Sequence, residues 1–119
     1  MDDRLPGKTI LVVEAGHFLA TDLLSAFVDC GTTIVGPIAK VHLALEIIAT
    51  EYIDAAILDL RVSAEDAFSI AEALSAREVP FVFASSEPRL PTPARFDGYR
   101  LVSKPLEFYN VVEALFGPM

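Results

Sequence analysis

The chain has 119 residues, enough for one domain with its own core, and 53% hydrophobic content supplies that core. A formal net charge of -8 argues against a nucleic-acid surface, because an acidic face repels a phosphate backbone, and it reads most simply as solubility. A single cysteine, Cys30, excludes an internal disulfide and a cysteine-rich zinc site, and no apolar run approaches the ~20 residues of a membrane span.

The opening Met1-Asp2-Asp3-Arg4-Leu5-Pro6-Gly7 is polar and acidic, unlike a signal peptide. It reads as an N-terminal arm (1–7) on a single cytoplasmic domain spanning 1–119. Lys8-Thr9-Ile10-Leu11-Val12-Val13-Glu14 is a β-branched run ending in an acid, which predicts strand one. Ala15-Gly16 predicts a tight turn. From His17 onward Leu19, Leu23, Ala26, Phe27 and Cys30 recur at helical spacing, and Gly31 ends that helix as a C-cap would. Cys30 on this apolar face reads as a buried, inert thiol. Thr32-Thr33-Ile34-Val35 predicts strand two, stopped by Gly36-Pro37. Val41, Ala44, Leu45 and Ile48 form the inner stripe of the second helix. Leu43 and Ile47 fall off the stripe, so partial cover on its outer side is expected.

Asp54-Ala55-Ala56-Ile57-Leu58-Asp59-Leu60-Arg61 is a short apolar run with an aspartate near its far end. Such a run suits a strand buried on both faces of a parallel sheet. Ser63-Ala64-Glu65-Asp66 resembles a capping box with Asp in place of Glu, and the third helix carries Ala67, Ile70, Ala71 and Leu74 inward. Pro80-Phe81-Val82-Phe83-Ala84 predicts strand four, ending at Ser85-Ser86. The following Glu87–Asp97 segment contains three prolines, which leave room for no more than about a turn of helix. Tyr99-Arg100-Leu101-Val102-Ser103 predicts strand five, running into Lys104-Pro105. The last helix carries Phe108, Val111, Val112 and Leu115. Strands alternating with helices predict an α/β fold, a doubly wound five-stranded parallel sheet with helices on both faces. Its fourth helix is expected to be shortened or replaced by the proline-rich loop.

Glu14, Asp59, Ser85 and Lys104 fall at or just past the ends of strands one, three, four and five. In a parallel sheet those ends share one edge, where ligands bind in open α/β folds. An acid pair, a hydroxyl and a lysine suit phosphoryl chemistry. The carboxylate serves as nucleophile, the lysine and hydroxyl hold charge on phosphoryl oxygens, and a divalent cation offsets repulsion. The bland alternatives are a buried polar strand end at Asp59, a solvated loop carboxylate at Glu14 and a plain strand-to-helix junction at Lys104-Pro105. Ser86 competes with its neighbour Ser85. Asp54 reads as a turn residue opening strand three. His17 and His42 read as solvent-facing, with the mouth of the pocket as the alternative for His17.

From Lys8 to Phe116 the chain resembles the receiver domain of two-component response regulators, the flavodoxin-like fold typified by the chemotaxis regulator. The residues that carry the resemblance are Ile10-Leu11-Val12-Val13-Glu14, Ile57-Leu58-Asp59-Leu60, Ser85 after a strand, and Lys104-Pro105. It implies that Asp59 accepts a phosphoryl group from a histidine kinase or phosphotransfer protein. It further implies that Lys104 and Ser85 contact that group. Mg²⁺ would be held by Glu14, Asp59 and the backbone carbonyl of Arg61. The domain would be a signalling module and not an enzyme.

The chain departs from the family pattern in four places. Ala15 stands where a second acid, commonly the direct metal ligand, is usual, so weak Mg²⁺ binding is expected. Leu101 stands at the usual aromatic switch position, with Tyr99 two residues back on the same face. The proline-rich segment replaces most of the helix that helps form the family's output surface. Phe83-Ala84-Ser85 partly resembles a subgroup of stand-alone receivers with Phe-Ala-Thr-Gly there, and Ser86 breaks the match. The side chain of Arg61 reads as exposed, with capture of phosphate or filling of the metal position as an alternative.

The leading expectation is a stand-alone receiver that passes its signal by protein contact, a fragment of a longer protein being the other possibility. A homodimer through the region of Leu101 and Tyr109 is expected. The alternative is a pseudo-receiver, an interaction module that never takes up phosphate, favoured by Ala15. A flavin or nucleotide binder on the same fold ranks last, because no glycine-rich phosphate loop follows strand one.

Overall fold

A computed structural model of the chain describes residues 5–14, 21–59, 64–85, 100–103 and 108–117. The strands are β1 (Thr9–Val13), β2 (Thr33–Ile38), β3 (Ala55–Asp59), β4 (Phe81–Ser85) and β5 (Arg100–Ser103). The described helices are α1 (Thr21–Asp29), α2 (Val41–Thr50), α3 (Ala64–Ala76) and α4 (Phe108–Phe116). The strands form one sheet in the order β2-β1-β3-β4-β5, and every neighbouring pair is parallel. The expected doubly wound five-stranded parallel sheet is thus the observed one. The Glu87–Asp97 segment, where the helix-four expectation falls, and the Ser63 cap lie outside the described residues.

The sheet's alternation sorts its side chains into two cores. Leu11, Val13, Ala56, Leu58, Phe81 and Phe83 pack on one face under α2 and α3, which contribute Ala44, Ile48, Ile70, Ala71 and Leu74. Ile10, Val12, Ala55, Ile57, Val82 and Ala84 pack on the other under α1 and α4, through Leu23, Phe27, Val111, Val112 and Leu115. Both faces of the central strands are therefore dry, which is why they read as continuous apolar runs. Phe83 meets the rings of Phe68 and Phe81 edge-on, at centroid distances of 5.6 and 5.4 Å. That geometry lets bulky rings share one layer without stacking face to face.

The end of α1 is a Schellman motif. Thr32 N–H donates to Phe27 O and Gly31 N–H to Val28 O, with Gly31 at a φ of +86°. The expected glycine cap is present. Cys30 sits one residue past the described helix in this turn, partly buried and packed against the α1/α4 core, so the buried-thiol expectation holds in part. Of the N-terminal arm, residues 5–7 are described. Leu5 is fully buried with the α1/α4 core, and its carbonyl accepts from Thr32 Oγ1 at 3.2 Å. One apolar side chain in a polar run carries no periodicity, so the sequence pattern could not reveal it. On α2, Ile47 packs against the α2/α3 core, whereas Leu43 is 39% exposed.

Strand two does not stop at Gly36-Pro37 as expected; β2 continues through them to Ile38. The register passes from Leu11↔Val35 to Val13↔Ile38, so two residues of β2 face one residue of β1. This is a β-bulge. It is tolerated because β2 is an edge strand, where a proline's missing donor costs no ladder bond. Gly36 has a φ of +121°, and a Cβ there would collide with Val12 O. Only glycine suits both demands. Gly36→Ala is expected to lower stability by about 1–3 kcal/mol. Urea denaturation would measure this, and a change within error would contradict the bulge geometry.

Candidate functional site

The site is built by strand register. Ile10 pairs with Ala55 and Val13 with Leu58, so the next residues along β1 and β3, Glu14 and Asp59, come level on adjacent strands. Neighbouring strands lie about 4.8 Å apart. Asp59 is the last residue of β3 and pairs with Ala84 of β4. Ser85, the last residue of β4, pairs with Ser103, the last residue of β5. Lys104 follows Ser103 directly in the chain and, with Arg61, lies outside the described residues. The carboxyl edge of the sheet thus gathers Glu14, Asp59 and Ser85, three of the four residues expected there.

The β1–β2 side of this edge is well anchored. Glu14 N–H donates to Ile38 O at 2.9 Å, which extends the ladder past the bulge. Glu14 is only 3% exposed, so it is not a solvated loop carboxylate. Two acids level on neighbouring strand ends are hard oxygen donors of the kind Mg²⁺ takes, together with several waters. The residues present therefore fit a divalent cation, though among the described residues no cluster of three or more His, Cys, Asp or Glu forms a closed metal cage.

The order β2-β1-β3-β4-β5 reverses direction between β1 and β3. That is the switch point at which open α/β sheets place their ligands, and Glu14 and Asp59 end the two strands that flank it. At the other end of the same pair stands Asp54. Its N–H donates to Thr9 O at 2.9 Å, and its Oδ2 accepts from Thr9 N–H at 2.7 Å. Asp54 is a clamp on the register of β1 against β3, in line with its reading as a strand-opening residue. His42 is exposed, as expected, and His17 lies outside the described residues.

A flavodoxin-like sheet with an acid pair at its switch point defines the receiver class of signalling domain. The similarity to solved structures bears this out. SdrG of Pseudomonas melonis Fr1 in its BeF3-activated conformation is 34% identical, with a TM-score of 0.71 over 92% of this chain and 93% of that one. SdrG of Sphingomonas melonis Fr1 is 33% identical, with a TM-score of 0.75 over 91% and 95% of the two chains. A response regulator of Burkholderia pseudomallei with a phosphorylated aspartic acid and a calcium ion shares the fold at 17% identity, with a TM-score of 0.74 over 91% and 66% of the two chains. No family model matches the chain, and no curated protein does at a significant level. The chain belongs to the response regulator receiver-domain family. Its general role is therefore two-component signalling, in which receivers work with histidine kinases or phosphotransfer proteins and bind a divalent cation at the site of phosphorylation. Among the described residues no helix is long and apolar enough to cross a membrane.

The clamp at Asp54 is separable from the chemistry at the opposite edge. Asp54→Ala is expected to lower stability by about 1–2 kcal/mol, the loss of one charged hydrogen bond at a half-buried position. Thermal melts would check this, and an unchanged melting temperature would contradict the clamp.

Proposed function

We propose that this chain is a receiver that takes a phosphoryl group on Asp59 from a histidine kinase or phosphotransfer protein. What supports this best is the register that sets Glu14 level with Asp59, with Ser85 ending the next strand. In this reading a carboxylate oxygen of Asp59 attacks the phosphorus of a phosphohistidine in line. The O–P bond forms as the P–N bond breaks, and the imidazole leaves with the electron pair and takes up a proton. Lys104, one residue beyond Ser103, and the hydroxyl of Ser85 hold the charge that develops on the phosphoryl oxygens. Glu14, Asp59 and the backbone carbonyl of Arg61 hold Mg²⁺. When bound, the cation offsets repulsion between the carboxylate and the incoming phosphoryl group.

Ala15 weakens that cation site, because it supplies no carboxylate where receivers usually have a second one. We expect a loss on the order of a hundredfold in Mg²⁺ affinity, which corresponds to about 2.7 kcal/mol. Phosphorylation then biases a two-state equilibrium of the segments after β3 and β4, and the signal passes by protein contact in the cytoplasm. The domain itself is not an enzyme. A homodimer through the face that carries Leu101 and Tyr109 belongs to the same reading. The second reading, a pseudo-receiver that only binds partners, is favoured by Ala15 alone.

Incubation with acetyl phosphate and Mg²⁺, followed by intact mass, separates the two. One added phosphoryl group is expected on the wild-type chain and none on Asp59→Asn. Absence of label at every metal concentration would favour the pseudo-receiver. Ala15→Asp is expected to lower the Mg²⁺ concentration for half-saturation by about a hundredfold. Calorimetry would measure that shift without any labelling, and an unchanged affinity would remove Ala15 as the cause.

A further inference from the structure

A second concave surface lies at the opposite edge of the sheet from Asp59. It is an open cleft of about 390 Å³, where the carboxyl ends of α2 and α3 meet the turns that lead into β3 and β4. Ile48, Ile53 and Val79 give it an aliphatic lining. Tyr52 belongs to the same lining, yet 81% of its surface is exposed. That ring adds almost nothing to the core, and large exposed aromatics of this kind anchor interfaces.

The charge around the cleft is net negative: Glu51, Asp54 and Glu78 line it against the single cation Arg77, and the Asp54 carboxylate is already engaged by Thr9 N–H. Two helix carboxyl ends, each a partial negative charge, converge on it after Thr50 and Ala76. Glu51 and Glu78 line it and are exposed. The cleft's own cation, Arg77, reaches across to α2, where its guanidinium donates to Ala49 O at 3.0 Å. The mouth thus offers two carboxylates and an aromatic face on a chain of net charge -8.

We infer that this cleft docks an arginine side chain presented by a basic segment of a partner protein. The guanidinium is planar, so it stacks on the Tyr52 ring while its donors reach Glu51 and Glu78. Its alkyl stem covers the aliphatic lining. A nucleic acid is excluded as occupant by the same negative field. The five residues of β3 separate this edge from the Asp59 edge by about 16 Å. Docking here therefore leaves the phosphoryl site open, and one receiver can hold a phosphodonor and a basic partner at once.

The test is a titration of the full chain with Nα-acetyl-arginine amide, followed by backbone amide NMR. Saturable shifts are expected at residues 48–54 and 77–79. The neutral Nα-acetyl-glutamine amide should leave those amides unmoved. Tyr52→Ala, a change at an exposed site, is expected to weaken binding about two- to fivefold. The double variant Glu51→Gln/Glu78→Gln should weaken it in a salt-dependent way, as loss of an exposed charge contact does. Asp59→Asn should bind as the wild type does, which keeps this result independent of the phosphoryl reading. Shifts that fail to saturate, that appear equally with the neutral analogue, or that persist at full affinity in both cleft variants would overturn the inference.

Discussion

The constraint on which everything else rests is the parallel register of β1 against β3. It is set at the amino end, where Asp54 and Thr9 exchange two hydrogen bonds. It is then locked by burial. Ile10, Leu11 and Val12 on one strand and Ala55 through Leu58 on the other are 0% exposed. A slip of one residue would carry every one of these side chains to the wrong core. Burying one such aliphatic side chain is worth about 1.5–3 kcal/mol, so a slipped register would be costly many times over. Glu14 and Asp59 come level at the far end because Thr9 and Asp54 are held level at the near one.

The same constraint explains why polar chemistry collects at the edge. The sheet's interior is apolar on both faces, and α1 and α4 cover one while α2 and α3 cover the other. Polar groups on the central strands find room only where strands run out. At the carboxyl edge those groups are Glu14, Asp59 and Ser85. At the amino edge they are Thr9 and Asp54, joined by hydrogen bonds. The Glu14 backbone is fixed from a third strand by Ile38 O, which depends on the bulge at Gly36-Pro37. A feature of the edge strand therefore positions an acid at the centre of the site.

Much of this was legible in the chain itself. The apolar runs that end in Glu14 and Asp59 read correctly as buried strands, because burial on both faces leaves an unbroken hydrophobic signal. Leu23 and Phe27, Ile70 and Leu74, and Val111 and Leu115 show the helical period that the packed faces confirm. Gly36-Pro37 misled, since local propensity reads such a pair as a stop and carries no information about edge position. Leu5 and the cleft beside Tyr52 were invisible for a related reason. Each depends on which segments meet in space, and neither leaves a periodic mark. Glu51-Tyr52 gave no sign that two helix ends would converge beside it. The role of Arg61 rests on the family resemblance alone, whereas Lys104 is also placed at the edge by following the last residue of β5.

The proposed signalling role turns on the carboxylate at position 59 as the point where a phosphoryl group enters. The most direct measurement is the backbone amide spectrum of the wild-type chain and of Asp59→Asn, each with Mg²⁺ and beryllofluoride, a phosphoryl mimic. Large shifts are expected at Glu14, Asp59, Ser85 and Lys104 in the wild type, and none in the variant. Identical responses in the two proteins, or wild-type shifts confined to other parts of the chain, would contradict it.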